Sequence, residues 1–492
     1  MKIALFIPRL RFVSGSICRY FKGLWTMILI VALCGTASAA PPDLTAGGLP
    51  TDTTYWNLGP TGMQGWFYHV RESSSESRQI LVTVVDPGSP AAGILAVNDV
   101  ILGADGTGAT PVNFTSDARK SLAYAIADAE ARSPATLQLR RWRAGVTTTV
   151  SVTLQTLGAY SATAPYNCPK STAILEKGVE RMMIHEGAGG YQFSALTLLA
   201  ADNPSNPKNI ARQARAQSEA RALILTPAQI AEYTSGNVST ASKVAWKMGY
   251  ELVSLAEYYL HTGDGTVLES IRARAVQISN GQSMFGTIGH QFALQGADGS
   301  INGPYGVGYG PVNNAGMPCY LGLILAKKCG LTDPEIDPAI ERANRFFGFY
   351  VDRGSIPYGE HGPGGGHESN GKCGIAALAF SLQGNRDEAA KFFTRMSTAS
   401  GNGRDAGHTG PYFNYLWAPM GANAGGEEAA AAYFSRASWM YDLARRWDGG
   451  FIYNTYGQGG SGTSAWSAAG FQMSTAILLT YAMPMRQLYI TG

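Results

Sequence analysis

A short glycine-containing motif recurs in the C-terminal two thirds of the chain and limits the folds that this part can adopt. The copies are Gly-Ser-Ile at 299–301, Gly-Ser-Ile-Pro-Tyr at 354–358 and Gly-Gly-Phe-Ile-Tyr at 449–453, and a predicted helix follows each one. The first two copies start 55 residues apart and the third starts 95 residues further on, which leaves room for two shorter units between them. Internal repeats of about 50 residues with two helices each are typical of stacked or circularly closed helical hairpins.

Apolar side chains recur at helical spacing between these motifs, and strand-like alternation disappears after residue 169. Three such stripes are Met248, Leu252, Leu255, Ala256 and Tyr259; Ile340, Ala343, Phe347 and Tyr350; and Tyr433, Ala437, Met440, Tyr441 and Ala444. Stripes at this spacing are typical of helices that pack one face against a core. Residues 170–492 are therefore predicted to form an all-α domain of about six helical hairpins.

This layout resembles the α/α toroid of terpenoid cyclases, protein prenyltransferases and related helical barrels. The resemblance rests on the repeat length and the glycine-rich connections, and it implies a ring of hairpins around a central cavity. The sequence lacks the Asp-x-Asp-Asp signature of the cyclases and the Asp-x-Cys element of the zinc-dependent prenyltransferases. Because a fold alone does not carry an activity, neither chemistry is expected here.

Residues 55–157 have a different pattern, with short β-rich runs and two breaks that carry helix signals. The predicted strands lie at 66–70, 80–85, 99–103, 136–143 and 147–154. The longer break, 116–131, begins with Ser116 as the expected N-cap. Its apolar face consists of Leu122, Ala125, Ile126 and Ala129. The chain is therefore predicted to be an α+β multidomain protein, with a small β-rich domain before the all-α domain.

The order of these elements resembles a PDZ domain of the bacterial type. The resemblance is carried by Val-Val-Asp-Pro-Gly-Ser-Pro-Ala-Ala-Gly-Ile at 84–94, Asn-Asp-Val-Ile-Leu at 98–102 and a closing hairpin that contains Arg-Trp-Arg at 141–143. In PDZ domains a glycine-containing loop presents N–H groups to a peptide carboxylate, and the peptide adds as a strand. The resemblance implies that a peptide C-terminus or an internal strand is bound by Gly62, Met63, Gln64, Gly65, Trp66 and Phe67. A tight turn is an equally good explanation of these glycines.

The first 39 residues have the three parts of a signal peptide. Residues 1–23 carry five cations and no acid, an apolar run follows at 24–34, and Ala37-Ser38-Ala39 supplies a small-x-small cleavage pattern. A helix needs about 20 apolar residues to span a bilayer, so the short run favours a signal peptide over the two alternatives, an uncleaved membrane anchor and a lipoprotein attached through Cys34. We expect a signal peptide at 1–39, a linker at 40–54 and export to the periplasm or outside, with no membrane association after cleavage.

Composition excludes several other classes of protein. Charged residues make up 15% of the 492 and apolar residues 45%, unlike a disordered chain or a coiled coil. The net charge is +3, and −2 without the five leader cations, so a nucleic-acid partner is not expected.

Buried free thiols are favoured for the cysteines at 168, 319, 329 and 373. Cys319 and Cys329 cannot pair if the predicted helix at 318–328 is continuous, because ten positions span about 15 Å.

The connections before the predicted inner helices hold most of the aromatic and polar candidates for a ligand site. In a closed ring these connections line one mouth of the cavity. The ligand-binding candidates are Tyr305, Tyr358, Tyr412, Trp417, Tyr453 and Trp466. Aromatic faces beside amides and carboxylates suit an uncharged, hydroxyl-rich ligand such as a glycan.

Titratable residues are densest at 358–370. The catalytic candidates are Glu360, His361, His367 and Glu368, with His408 in a later connection. Two carboxyl groups about 5–9.5 Å apart would serve a glycosidase, whereas His408 or Tyr412 would be the base of a lyase. The alternative is a solvated glycine-rich loop in which Asn370 caps the next helix. The histidine spacing matches no short metal motif, so no metal and no cofactor are predicted.

The sequence leaves three functions open. The leading hypothesis is an exported cell-envelope protein whose toroid binds an uncharged ligand and whose PDZ-like module docks a peptide or packs on the toroid. A glycan-processing hydrolase or lyase that uses Glu360, Glu368 and His408 is the first alternative, and a non-catalytic scaffold for protein partners is the second. The arrangement of leader, PDZ-like module and toroid also resembles a family of exported bacterial proteins of uncharacterised function.

Overall fold

The structure is a computed structural model that describes residues 43–44, 56–70, 73–185, 193–294, 302–303, 310–364, 369–399, 412–452 and 472–492. Within these ranges a small antiparallel sheet precedes a large set of helices, which confirms the predicted α+β architecture. The predicted signal peptide, and the predicted linker apart from 43–44, lie outside the described residues. None of the described helices combines the length and the apolar character that a bilayer crossing requires.

Six strands follow one another across the sheet in sequence order. They are β1 (Trp56–Asn57), β2 (Met63–Phe67), β3 (Ile80–Val85), β4 (Val100–Asp105), β5 (Thr136–Arg143) and β6 (Val146–Thr153). The strand predicted at 66–70 lies instead at Met63–Phe67, and β1 was not predicted. A two-residue strand such as β1 is too short to show the alternation by which strands are recognised in a sequence.

The helix α1 (Ala118–Glu130) packs against β4 and β5. Its predicted apolar face is buried, with Leu122 and Ile126 fully covered. Asp117 is the N-cap in place of Ser116, and its carboxylate accepts the backbone N–H of Lys120 at 3.1 Å. The change follows from the start of the helix at Ala118, because the capping side chain must come from the residue just before the first helical turn.

Twelve of the described helices in the second region form an outer and an inner layer, which alternate along the chain. The outer helices are α2 (Pro169–His185), α4 (Asn209–Arg221), α7 (Leu268–Gly281), α9 (Ile336–Gly348), α11 (Asp387–Thr398) and α13 (Glu427–Ala444). The inner helices are α3 (Ser194–Ala200), α6 (Val244–Thr262), α8 (Asn313–Lys328), α10 (Ser369–Gln383), α12 (Tyr412–Asn423) and α14 (Met473–Ala482). A further short helix, α5 (Pro227–Tyr233), packs on α7.

The six inner helices form a closed ring. Each one contacts the next in the order α3, α6, α8, α10, α12 and α14, and α14 returns to α3. Neighbouring inner helices are parallel, since Gly249 and Leu252 of α6 lie beside Cys319 and Gly322 of α8, respectively. The described helices therefore make six hairpins around one axis, as the repeats predicted. We call the end at which the inner helices begin the rim.

Burial distinguishes the two layers. Every residue of α12 and α14 is buried, whereas α11 buries Phe393, Thr394 and Ser397 and leaves its other side chains exposed or half-buried. A helix that is apolar on all sides belongs in the interior, and one with a single apolar stripe belongs at the surface. Glycines bring inner helices close together: a Cβ added to Gly421 of α12 would lie 2.2 Å from the Cα of Gly374 in α10.

The recurring motif forms the connection from an outer helix to the next inner helix. Gly354 follows α9 and Gly449 follows α13, and their φ angles of 141° and 98° lie in the region that favours glycine. Ile356 and Phe451 are buried anchors of these two copies. Two hairpins separate the copies, in agreement with their spacing, and the copy at 299–301 lies outside the described residues.

Helix α8 begins at Asn313, five residues before the predicted start at Pro318. Proline lacks an N–H donor but has a φ compatible with a helix, so it is a poor marker of the first residue when neighbouring helices hold the turn in place. Cys319 and Cys329 are carried by this one helix and its C-cap, and all four described cysteines are free and buried, as predicted.

The sheet domain and α13 share one apolar core. Leu443 of α13 is buried among the core residues of the sheet domain. Asn57 of β1 donates from its side-chain amide to the carbonyl oxygens of Leu443 at 2.7 Å and Arg445 at 3.0 Å. The Arg119 guanidinium lies 4.8 Å from the ring centre of Trp439 in α13. The sheet domain is therefore packed against the last outer helix through apolar, hydrogen-bond and cation–π contacts.

The last ten residues, 483–492, which we call the C-terminal strap, contact the inner helices at the end opposite the rim. Glu257 of α6 accepts the backbone N–H groups of Tyr489 at 3.0 Å and Ile490 at 2.8 Å. Asn423 of α12 donates to the carbonyl of Thr491 at 2.6 Å, and the Lys328 ammonium of α8 lies 5.0 Å from the Tyr489 ring centre. The strap thus joins the C-terminal ends of three inner helices.

Candidate ligand site at the rim of the helical ring

The first residue of α8 fixes the connection that precedes α10. The backbone N–H of Asn313 donates to the Tyr358 carbonyl at 2.8 Å, and its side-chain amide donates to the carbonyls of Pro357 and Gly359, both at 2.9 Å. Asn313 is buried, so these bonds are shielded from water. They hold Tyr358, a predicted ligand-binding residue, at the rim beside the start of α8.

Glu360 and His361 follow on the same connection, and both side chains are exposed. The Tyr350 hydroxyl donates to the His361 carbonyl at 3.0 Å, which ties this segment to the end of α9. Burial raises the pKa of Tyr350, and the nearby Glu360 carboxylate raises it further. The structure therefore brings three predicted residues, Tyr358, Glu360 and His361, together on one solvent-accessible segment of the rim.

Aromatic rings extend from the rim to the centre of the ring of helices. His290, in the connection after α7, accepts the Trp246 indole N–H at Nδ1 at 2.8 Å, and the two rings stack. Trp246 stacks in turn on Tyr250, one turn further along α6. Tyr250 contacts Phe193, which precedes α3, and Trp417 of α12. We call these five residues the aromatic ladder.

The inner end of the ladder crosses the ring. The Trp417 indole N–H donates to the Tyr250 hydroxyl at 3.3 Å, and α6 and α12 are opposite members of the ring. Trp417, predicted as a ligand-binding residue, is buried at this crossing, and Tyr412 is also buried. The centre of the ring is therefore filled by side chains at this depth.

Six further predicted site residues lie outside the described residues. They are Tyr305, His367, Glu368, His408, Tyr453 and Trp466. Asn370 does not cap α10 as the alternative interpretation assumed. It is the second residue of that helix, and its side-chain amide donates to the carbonyls of Ser397 at 3.1 Å and Ala399 at 2.6 Å. Asn370 therefore joins the start of α10 to the end of α11.

The segment from Gly62 to Phe67, predicted to bind a peptide, is buried throughout. Gln64 pairs with Asn57 of β1 on one side and with Val84 of β3 on the other, so this part of β2 has a strand on both sides. A peptide strand can be added at Gln64 only if β1 is displaced.

Among the described residues no group of three or more His, Cys, Asp and Glu side chains is arranged to hold a metal ion. The sequence reasoning did not identify Phe193, Trp246 or Tyr250. A usable signal was present for the last two, since they lie four residues apart on α6, outside the stripe of Met248 and Leu252. A helix with large apolar side chains beyond one stripe is buried on more than one face.

Residues 171–492 match the protein family described as "Domain of unknown function (DUF6288)". The chain belongs to this family. The DUF6288 region begins within α2 and ends at the last residue, so it contains all six inner helices, the rim and the C-terminal strap. The sheet domain lies outside it. No curated protein matches the chain.

Proposed function

We propose that this chain is an exported cell-envelope protein whose helical ring binds an uncharged glycan segment at the rim. The observation that carries the proposal is the solvent-accessible rim segment with Tyr358, Glu360 and His361, whose backbone is held in place by Asn313. Aromatic faces provide apolar area for the C–H faces of a sugar, and polar groups beside them fix its orientation.

The polar groups of the rim segment match such a ligand in their chemistry. Glu360 and His361 offer an acceptor and a hydrogen-bonding imidazole on an accessible segment, and Tyr358 adds a ring with a hydroxyl. Because the ring centre is filled at Trp417 and Tyr250, a ligand would lie across the rim instead of threading through the ring. A binding role requires no more than this arrangement, whereas glycosidase chemistry requires a second carboxyl group near Glu360 and lyase chemistry requires a base such as His408.

For the sheet domain we propose an intramolecular role, as a brace for the last hairpin of the ring. The support is the shared core at Leu443 and the hydrogen bonds from Asn57 to the end of α13. Docking of an outside peptide on β2 is the competing proposal, and it would require β1 to leave its place.

Binding of soluble oligosaccharides, measured by isothermal titration calorimetry, tests the proposed ligand. The panel should pair uncharged β-linked glucose and xylose oligomers with anionic galacturonate oligomers of equal length. Tyr358→Ala is expected to weaken binding of the uncharged oligomers by about tenfold. Tyr124→Ala is the matched control, because Tyr124 is an exposed aromatic residue on α1. Tighter binding of the anionic oligomers, or equal affinity of both variants, would contradict the proposal.

The same panel separates binding from processing. Wild-type protein and Glu360→Gln are incubated with each oligomer, and the products are analysed by mass spectrometry. Intact oligomers in both samples support a binding protein. Cleavage that Glu360→Gln abolishes would show a hydrolase or lyase instead.

A further inference from the structure

The sheet ends in a strand that has a neighbour on one side only within the described part of the chain. Strand β6 is last in the strand order, next to β5. Thr148 of β6 accepts a side-chain hydrogen bond from Arg141 of β5, and Ser151 of β6 donates one to Gln138 of β5. Residues 147–153 are Thr-Thr-Thr-Val-Ser-Val-Thr, with no charged residue and no proline. Natural proteins usually protect an exposed edge strand with charges, prolines or bulges. The composition of β6 provides none of these charges or prolines.

The two faces of β6 differ in burial. Val150 is half-buried against the core of the sheet domain and Val152 is fully buried, whereas Thr149 and Ser151 are exposed. This alternation is typical of an extended strand, whose backbone N–H and C=O groups point sideways in the plane of the sheet, toward the positions of neighbouring strands. The opposite edge of the sheet, at β1, is held against α13 by Asn57. One edge is therefore covered by α13, whereas at the other edge, among the described residues, no strand lies beside β6 on its outer side.

We propose that β6 pairs antiparallel with β6 of a second copy of this chain, around a two-fold axis near Val150. In that register Thr149 lies opposite Ser151 of the other copy, and Thr147 lies opposite Thr153. Cross-strand Thr–Thr and Thr–Ser pairs are favourable, and no like charges meet because the strand carries none. The pairing would join two six-stranded sheets into one continuous sheet.

A second copy fits this edge better than a strand from another protein. Peptides that add to a sheet edge gain specificity from pockets that receive alternate side chains. The exposed face of β6 offers small hydroxyl side chains, Thr149 and Ser151, next to solvent. Self-pairing needs no such pocket, because a two-fold contact uses the same surface on both copies.

The expected dimer is weak. One strand pair buries less than the roughly 1,200 Å² of a standard stable interface, so association should depend on protein concentration. Sedimentation velocity of the purified chain over a concentration series measures it. The test uses two double variants, Thr149→Lys with Ser151→Lys and Thr149→Glu with Ser151→Glu. Ala109→Lys is the control, because Ala109 is exposed in the sheet domain away from β6.

Each double variant should be monomeric where the wild type dimerises, since like charges then face each other across the two-fold axis. An equimolar mixture of the two variants should restore the dimer, with an apparent dissociation constant lower by about tenfold or more than that of either variant alone. Ala109→Lys should behave as the wild type. A wild type that stays monomeric at every concentration, or a mixture that stays monomeric, overturns self-pairing through β6.

Discussion

Glu130, the last residue of α1 in the sheet domain, accepts two hydrogen bonds from Arg445 at the end of α13, at 2.7 and 2.8 Å. The Lys170 ammonium lies 2.9 Å from the same carboxylate, and Asp442 faces Arg445 at 3.3 Å. All four side chains are buried, and their formal charges cancel. The cluster lies where the sheet domain, the start of α2 and the last outer helix meet.

Removal of one charge from this cluster should be strongly destabilising. In Glu130→Gln, Lys170 and Arg445 keep Asp442 as their acidic neighbour, and the free energy of unfolding should fall by roughly 3–5 kcal/mol. Urea denaturation at pH 7 measures the change. Glu76→Gln is the control, because Glu76 pairs with Arg78 at the surface and should change stability by less than about 1 kcal/mol. A loss as small as the control's would show that the cluster does not hold the domains together.

The same cluster should make the free energy of unfolding fall at acid pH. Burial acts to raise the pKa of Glu130, but the charges of Arg445 and Lys170 and their hydrogen bonds lower it overall. A carboxyl group with a lowered pKa stabilises the folded state above its unfolded value near 4.5, and this contribution is lost as the pH falls through the folded value. Urea midpoints below pH 4.5 should therefore decline more steeply for the wild type than for Glu130→Gln.

The shared core predicts that the two domains unfold together. Leu443→Ala removes a buried side chain from the core of the sheet domain and should cost about 2–5 kcal/mol. Hydrogen exchange should show faster exchange in β2 and α1 as well as in α13. If α13 alone loses protection, the sheet domain is stable without Leu443 and the two domains do not unfold together.

Close packing of the inner helices predicts opposite effects at two glycines. Gly421→Ala places a methyl group 2.2 Å from the Cα of Gly374, so overpacking should lower the free energy of unfolding by about 1–3 kcal/mol. Gly348→Ala, at the end of α9, meets no atom within 4 Å and should be neutral or stabilising by up to about 1 kcal/mol. Thermal denaturation of both variants makes the comparison. Equal effects would mean that α10 and α12 are not in contact at Gly421.

Glu257, which binds the C-terminal strap, should change the stability with pH in the direction opposite to Glu130. Burial raises the pKa of Glu257 to about 7, although the N–H groups of Tyr489 and Ile490 partly oppose the shift. Between about pH 4.5 and 7, Glu257 is protonated in the folded state but has lost its proton in the unfolded state. The free energy of unfolding should therefore fall by roughly 1.4 kcal/mol for each pH unit as the pH rises through this range. Glu257→Gln should lack that slope. Glu269→Gln, at an exposed glutamate, should retain it.

The repeat and the apolar stripes were sufficient to predict the ring, because hairpins of similar length bury similar faces. The glycine motifs at Gly354 and Gly449 correctly marked two connections between helices, because the backbone at both positions has a positive φ that favours glycine. The joint between the domains was not predictable in this way. Asn57 and Leu443 are 386 positions apart, and neither has a neighbour in sequence that indicates its partner. The prediction of Tyr358 and Glu360 as site residues followed from their glycine-rich connection, whereas nothing in the sequence analysis singled out Trp246, whose partners His290 and Tyr250 are fixed by the fold.

The position of Leu443 also has a consequence for how the protein is made. The sheet domain is synthesised first, but one of its core residues comes about 290 residues after Thr153. At roughly 5–20 residues per second, a ribosome needs about 15–60 s to cover that distance. During that interval the nascent domain lacks one residue of its apolar core, and a chaperone that binds exposed apolar segments would find its target there before the last hairpin arrives.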